Sequence, residues 1–259
     1  MNNSHGNENS NHNIIYVDSF AGCAGDMLLG ALFDMGLPFD NWKKEITKLN
    51  INGFDINISE KMESSIKGTK FDVILKDTGG NTKTKEHHHR GFTEIAKLIN
   101  SSTLSDNIKK DSISIFKTLA EAEAKVHNTS PDEIHFHEVG AIDSIIDIVG
   151  FCIAKDMMEI DEIFSSPFHL GKGTVKTAHG LMPVPAPATL EIISGKPAKS
   201  DGITGELTTP TGAAILTTLS KSFGKLPDMI IQAIGYGYGS NKLSIPNFVR
   251  VLYGNRGNL

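Results

Sequence analysis

The run from His135 to Gly150, HFHEVGAIDSIIDIVG, constrains this chain more than any other because its side-chain period changes partway along. At its start the residues alternate as in an extended segment, so His135 and His137 share one side and Phe136 takes the other. From about Gly140 the apolar residues Ile142, Ile145, Ile146, Val149 and Ile153 recur at the three-and-four spacing of an inward-packing helix. Asp143 and Asp147, four apart, then stack one turn above the other beside that stripe. A strand-to-helix junction of this kind is expected to bring His135, His137, Glu138, Asp143 and Asp147 to one corner. Imidazole nitrogen and carboxylate oxygen suit borderline divalent ions such as Zn, Ni, Fe or Mn. Acidic residues near a helix start also serve as caps and dipole partners. Their clustering here favours a functional reading, since burying so many polar groups without a metal or partner is costly.

The rest of the chain reads as short strands interleaved with helices. This predicts an α/β class: a layered domain with a mixed sheet and flanking helices. Asn13 to Asp18 (NIIYVD) is expected to form a buried strand, followed by SFAGCAGDMLLGALFDMG, which becomes helical from about Gly25. Gly22 and Gly25 would let backbone amides approach a ligand at a helix start, though glycine in such a turn is also ordinary loop chemistry. Asp18 and Asp26 would repel a bare anion there, so a metal bridging the two is the better fit. Cys23 reads as a small buried residue or a soft ligand. Helices are further predicted at 39–49, 91–100, 104–127, 188–193 and from Pro210 to Leu219, and strands around 54–58, 71–75, 163–170, 229–239 and 247–253.

Three further stretches bear chemistry. His87, His88, His89 and Arg90 form an internal histidine tract suited to metal capture, with Arg90 a partner for phosphate or carboxylate; a solvated loop is the alternative. GKGTVKTAHG supplies Gly171, Lys172, Gly173 and His179, a plausible phosphate cradle, before the stiff Pro183, Pro185 and Pro187. GELTTPTGAA places Thr208 and Thr209 before Pro210 at a helix start, where hydroxyls hold phosphate or simply cap.

A chain of 259 residues buries a sizeable core. Residues 1–13 read as a disordered polar leader and 14–259 as a single α/β domain. Net charge −5 and pI near 6.0 argue against a nucleic acid partner. No apolar run suggests a membrane span, and the leader lacks the basic-then-apolar order of a signal peptide. Two cysteines are too few for a disulfide framework, which fits the cytoplasm.

Taken together, DSFAGCAGDM at 18–27, HHHR at 87–90, the central run at 135–150, GKGTVKTAHGLMPVPAPAT at 171–189 and GELTTPTGAA at 205–214 resemble the LarC family. That family inserts nickel into pyridinium-3,5-bisthiocarboxylic acid mononucleotide to complete the nickel-pincer cofactor of lactate racemase. The resemblance implies a nickel-inserting cyclometallase of the lyase class using Ni(II), with CTP and Mn or Mg belonging to a C-terminal domain that this sequence does not match. It also implies, as partners, the mononucleotide precursor, the C-terminal portion of the family protein and the nickel-dependent racemase apoenzyme, with a homo-oligomer as a further expectation. Cys23 departs from the family pattern, so no ligand role is carried to it.

A donor site must hold nickel yet surrender it to thiocarboxylate sulfurs, which nitrogen and oxygen ligands allow better than thiolates. The expected metal shell is therefore His135, His137, Asp143 and Asp147, with Asp26 beside it and His87, His88 and His89 as a capture loop. His179, Glu138 or Asp18 would take the ring proton released when the metal–carbon bond forms. Gly22, Gly25, Arg90, Gly171, Lys172, Gly173, Thr208 and Thr209 would place the mononucleotide phosphate. A non-catalytic nickel store or delivery protein, and a metal-dependent phosphohydrolase, are the alternatives.

Overall fold

A computed structural model describes residues 12–76, 90–136, 140–177 and 179–256. In chain order, the first half contains β1 (Asn13–Asp18), α1 (Gly25–Asp34), α2 (Phe39–Ile46), β2 (Phe54–Glu63), β3 (Ile66–Leu75), α3 (Phe92–Ser101) and α4 (Asp106–His127). Then follow α5 (Ile142–Met157), β4 (Glu162–Ser165), β5 (Phe168–His169), β6 (Thr174–Thr177), β7 (Gly180–Pro183) and α6 (Pro187–Ile192). The last elements are β8 (Ala198–Lys199), α7 (Pro210–Leu219), β9 (Ser220–Phe223), β10 (Ile230–Tyr238) and β11 (Phe248–Asn255). The expected α/β class with a mixed sheet is what forms.

The main sheet has seven strands in the order β2-β3-β10-β11-β1-β4-β9. β1 runs antiparallel to β11 and parallel to β4, so the strand that opens the fold is buried at its centre. Alternation along β1 sorts its side chains. Ile15 and Val17 join the large core on the helix side, and Ile14 and Tyr16 join Phe164, Met229 and Leu252 in a small cluster on the other face. Asp18 follows Tyr16 by two and is therefore expected on that second face.

α1 is apolar on every side except for Asp26 and Asp34 near its two ends, as a helix packed all round must be. Sheet backbone supports it from below: a Cβ on Gly235 would stand 2.0 Å from the Ala31 carbonyl oxygen, and one on Gly237 1.7 Å from that of Met27. Only glycine allows this approach. Above it lies α5, equally apolar, with Ile145, Ile146, Ile148, Val149, Phe151 and Ile153 buried. Trp42 of α2 locks α5 from outside, its Nε1 donating to the Gly150 carbonyl at 2.9 Å. Phe33, Trp42 and Phe71 pack edge and face between α1, α2 and β3, with Trp42 5.3 Å from Phe33 and 5.6 Å from Phe71. Among the described residues, no helix is long and apolar enough to cross a membrane.

Candidate functional site

Three helices begin at one place, and local sequence explains why. Gly22, at φ +88°, turns the chain between β1 and α1; a Cβ there would fall 2.1 Å from the Leu207 carbonyl oxygen. Cys23 bridges Thr208, and the Thr209 amide donates to the Cys23 carbonyl at 3.0 Å. A Cβ on Gly212 would lie 2.4 Å from that same carbonyl oxygen, so the first turn of α7 is pressed onto the entry to α1. Thr209 caps α7 by accepting from the Gly212 amide at 3.3 Å, with Pro210 in the first helical position. The start of α5 reaches the same corner because Gly25 has no side chain: a Cβ on it would sit 2.6 Å from that of Asp147.

Between these helix starts and β3 lies a cavity of about 370 Å³, whose lining includes Asp26 of α1, Asp72 of β3, Asp143 and Asp147 of α5, Glu206, and Thr209 and Thr211 of α7. Ser240, just after β10, closes the far side. β3 and β10 pair only at Thr69 and Gly237. Beyond that point Lys70 links the parted strands, ion-paired to Asp72 and donating to Ser240 Oγ at 2.9 Å.

So many carboxylates around one cleft cannot all ionise cheaply. Burial pushes the Asp26 carboxyl up to about 6, and Asp72 adds to the rise; Lys70 and the Met27 amide oppose it. Asp147 is driven well above the ordinary carboxylate range, first by burial and then by the charges of Asp26 and Asp143, against the Asp26 amide and Lys70. Its Oδ1 touches neither solvent nor a hydrogen-bond partner. A buried acceptor left bare costs about 1–3 kcal/mol. A divalent cation would satisfy that oxygen and relieve the repulsion together, and carboxylate oxygen donors suit such an ion. Among the described residues, no three His, Cys, Asp or Glu side chains stand close enough to form a ready-made shell.

Of the residues singled out from sequence, the cavity brings together Asp26, Asp143, Asp147 and Thr209, with Gly25 packed against Asp147. His135 is not among its lining. It is exposed and forms an antiparallel bridge with Gly91, while the Phe136 amide donates to the Arg90 carbonyl at 3.2 Å. Arg90 thus stands where the two histidine-bearing runs meet at their described ends. His87, His88, His89, His137 and Glu138 lie outside the described residues.

Asp18 differs from the expectation of a metal bridged with Asp26. Strand alternation puts it on the opposite sheet face, where Arg250 Nη2 donates to it at 2.6 Å. Gly22 and Gly171 face protein backbone and form no open cradle; a Cβ on Gly171 would be 1.8 Å from the Gly205 carbonyl oxygen. Lys172 pairs through its main chain with Ile203 and Gly205 while its side chain is exposed, and the Gly173 carbonyl accepts from Val184. Thr208 is buried and donates to the His169 carbonyl at 2.7 Å. His179 lies against His127 at the end of α4, ring centroids 4.9 Å apart, and is not part of the cavity lining. Cys23 is wholly buried and its thiol is pushed up to about 12 by that burial, so it stays protonated near neutral pH.

Thr211, expected beside Thr208 and Thr209 at the start of α7 to hold phosphate or cap the helix, does line the cavity. Sequence reasoning passed over Asp72, Glu206 and Ser240, which also line it, and Lys70, which joins Asp72 and Ser240. It also missed His169. That ring is buried and its Nδ1 donates to the Phe20 carbonyl at 2.6 Å, which fixes the loop leading to α1. Asp201 Oδ2 stands 3.3 Å from Nε2 without forming a hydrogen bond. A histidine following an aromatic residue in a short strand was the only local signal.

An α/β chain with an acidic, cation-suited cleft at converging helix starts is thus the class of protein defined here. Residues 15–258 match the family described as nickel insertion protein, and the chain belongs to that family. A relative from Dictyoglomus thermophilum is 48% identical over 240 residues, covering 93% of this chain and 60% of its own. Relatives from Acetivibrio thermocellus and Geobacillus kaustophilus, 46% and 45% identical, each cover 93% of this chain. Both are named pyridinium-3,5-bisthiocarboxylic acid mononucleotide nickel insertion protein. The chain spans about 60% of the length of these curated relatives. No solved structure matches it.

Proposed function

We propose that this chain receives Ni(II) in the acidic cavity and inserts it into pyridinium-3,5-bisthiocarboxylic acid mononucleotide. The observation that carries the reading is the enclosed, unpartnered Oδ1 of Asp147 in a cavity shared with Asp26, Asp72 and Asp143. In a family of nickel insertion proteins, a polar atom left bare among like charges is a place held for a cation.

Asp26 and Asp147 supply the oxygen donors, and Asp72, Asp143 and Glu206 set the field around them. Carboxylate oxygens hold nickel less firmly than the two sulfurs and the ring carbon of the product, so transfer runs toward the pincer. Forming the nickel–carbon bond releases the ring proton. A carboxylate that the departing ion uncovers, Asp26 above all, is a base in place to accept it, because its raised proton affinity lies near neutrality. Thr209 and Thr211, whose hydroxyls lie 3.0 Å apart at the start of α7, face the same space and suit the nucleotide's phosphate. Arg90, Lys172 and the histidine-bearing segments would act outside it, gathering the ion or the nucleotide. The proposal extends to CTP with Mn or Mg, and to a nickel-dependent racemase as recipient. A store or delivery protein would need the ion but not the mononucleotide.

Equilibrium nickel titration of the wild type and of Asp147→Asn, each with and without the unmetallated mononucleotide, tests the reading. The expected result is nickel binding that the substitution weakens by about a hundredfold and the mononucleotide alters. Unchanged nickel affinity in the variant would overturn the assignment of the cavity.

A further inference from the structure

Resting on that reading, we infer that Lys70 is the cavity's built-in counter-cation: its ammonium competes with the incoming ion and keeps nickel loosely enough held to be handed on. A transfer protein faces a difficulty that a storage protein does not. Several carboxylates facing one cleft, unopposed, would grip a divalent ion too firmly to surrender it.

The placement of Lys70 answers this. Its side chain is 17% exposed, the least of any lysine in the ion pairs among the described residues; Lys67, Lys76 and Lys117, for instance, range from 54 to 64%. The ammonium joins Asp72, which lines the cavity, and Ser240 Oγ at 2.9 Å, which closes it. Its field also reaches both Asp26 and Asp147. One ammonium cannot neutralise the four aspartates that line the cavity, and no hydrogen bond runs from it to the bare Oδ1 of Asp147. The cavity is thus left attractive to a cation, but less so than its carboxylates alone would make it. When nickel arrives, Asp72 is shared between ion and ammonium; when nickel leaves, the ammonium takes Asp72 back. Lys70 is a positioning residue in this scheme and touches no reacting atom.

The purely structural alternative is that Lys70 ties β3 to the segment after β10. Three variants separate the two: Lys70→Met removes the charge and keeps the length, Lys70→Arg keeps the charge, and Ser240→Ala breaks the tie alone. Measurements at pH 8 limit competition from protons. The expected result for Lys70→Met is nickel affinity raised about tenfold, with release to a competing chelator slowed to match, as loss of one nearby like charge predicts. Lys70→Arg and Ser240→Ala should stay within about threefold of wild type, a range small enough for screened or exposed contacts. Lys70→Gln repeats the measurement should the Met variant fail to fold. Weaker or unchanged binding in both uncharged variants would overturn the inference. If Asp147→Asn also leaves nickel binding intact, the cavity itself is misassigned; if only the Lys70 variants are silent, this inference alone fails.

Discussion

The acidic cavity and the two described histidines singled out from sequence, His135 and His179, stand in opposite surroundings. Asp26 and Asp147 are held by helices that pack on all sides, with raised proton affinities and an oxygen lacking a partner. His135 is exposed beside Gly91, and His179 stands over His127 at the solvent end of α4. An enclosed carboxylate interacts strongly because its surroundings screen little, and for the same reason it weakens the empty fold. An exposed imidazole meets ions quickly and holds them weakly. On the proposed reading, capture and holding would be separate tasks, one at the surface and one in the interior.

Four measurements would break or sharpen that contrast. The largest effect is expected from Asp147→Asn, which should weaken nickel binding by about a hundredfold, at the upper end of what loss of even an outer-shell metal partner costs. In the same variant the ion-free chain should melt higher, because the charge most opposed by its surroundings is gone. A calorimetric scan showing a lower melting point would mean that Asp147 supports the fold.

Next, Gly25→Ala inserts a methyl group 2.6 Å from the Asp147 Cβ and should destabilise the chain by about 1–3 kcal/mol by overpacking, with nickel affinity falling alongside. Denaturant unfolding gives the first quantity and titration the second.

Of similar or smaller size is the pH dependence of the ion-free chain. The folded Asp26 keeps its proton up to about 6, whereas the unfolded carboxyl loses it near 3.8. Between those values the folded state binds more protons, so this group's contribution to stability declines as pH rises through the window and is lost above it. The difference corresponds to about 3 kcal/mol at most. Chemical denaturation between pH 4 and pH 7 should show a decline that Asp26→Asn flattens; no difference between the two chains would refute the coupling.

The smallest effect is expected from His135→Ala. As an exposed position it should leave stability within about 0.5 kcal/mol and equilibrium nickel affinity nearly unchanged. Stopped-flow loading should show any loss as a slower association. A large equilibrium loss would move the holding site to the histidines and reverse the division of labour.

Much of this arrangement was legible in the sequence where the signal was local. The three-and-four recurrence of isoleucines fixed α5 and with it the pairing of Asp143 with Asp147, and TTPTG marked the start of α7 with its Thr209 cap. Asp18 was grouped with Asp26 because the two are close in sequence, although strand alternation sends Asp18 through the sheet to Arg250. Gly22 and Gly171 read as a cradle because a sequence cannot show what stands where a side chain would be. Lys70 and Asp72 carry no local mark of a site in the sequence of β3. Their role depends on β3 and β10 parting after a single pair, a tertiary event with no local signature.

The seating of α1 on Gly235 and Gly237 bears on how the proposed metal transfer would proceed. Main chain lies directly on main chain there, with no side-chain cushion to compress or slide upon. The acid at the head of that helix is therefore anchored almost as firmly as the sheet itself. If Asp26 is a donor, one so fixed would not follow its cargo through a change of ligands. The nucleotide would then come to the metal, or the metal would cross the gap alone.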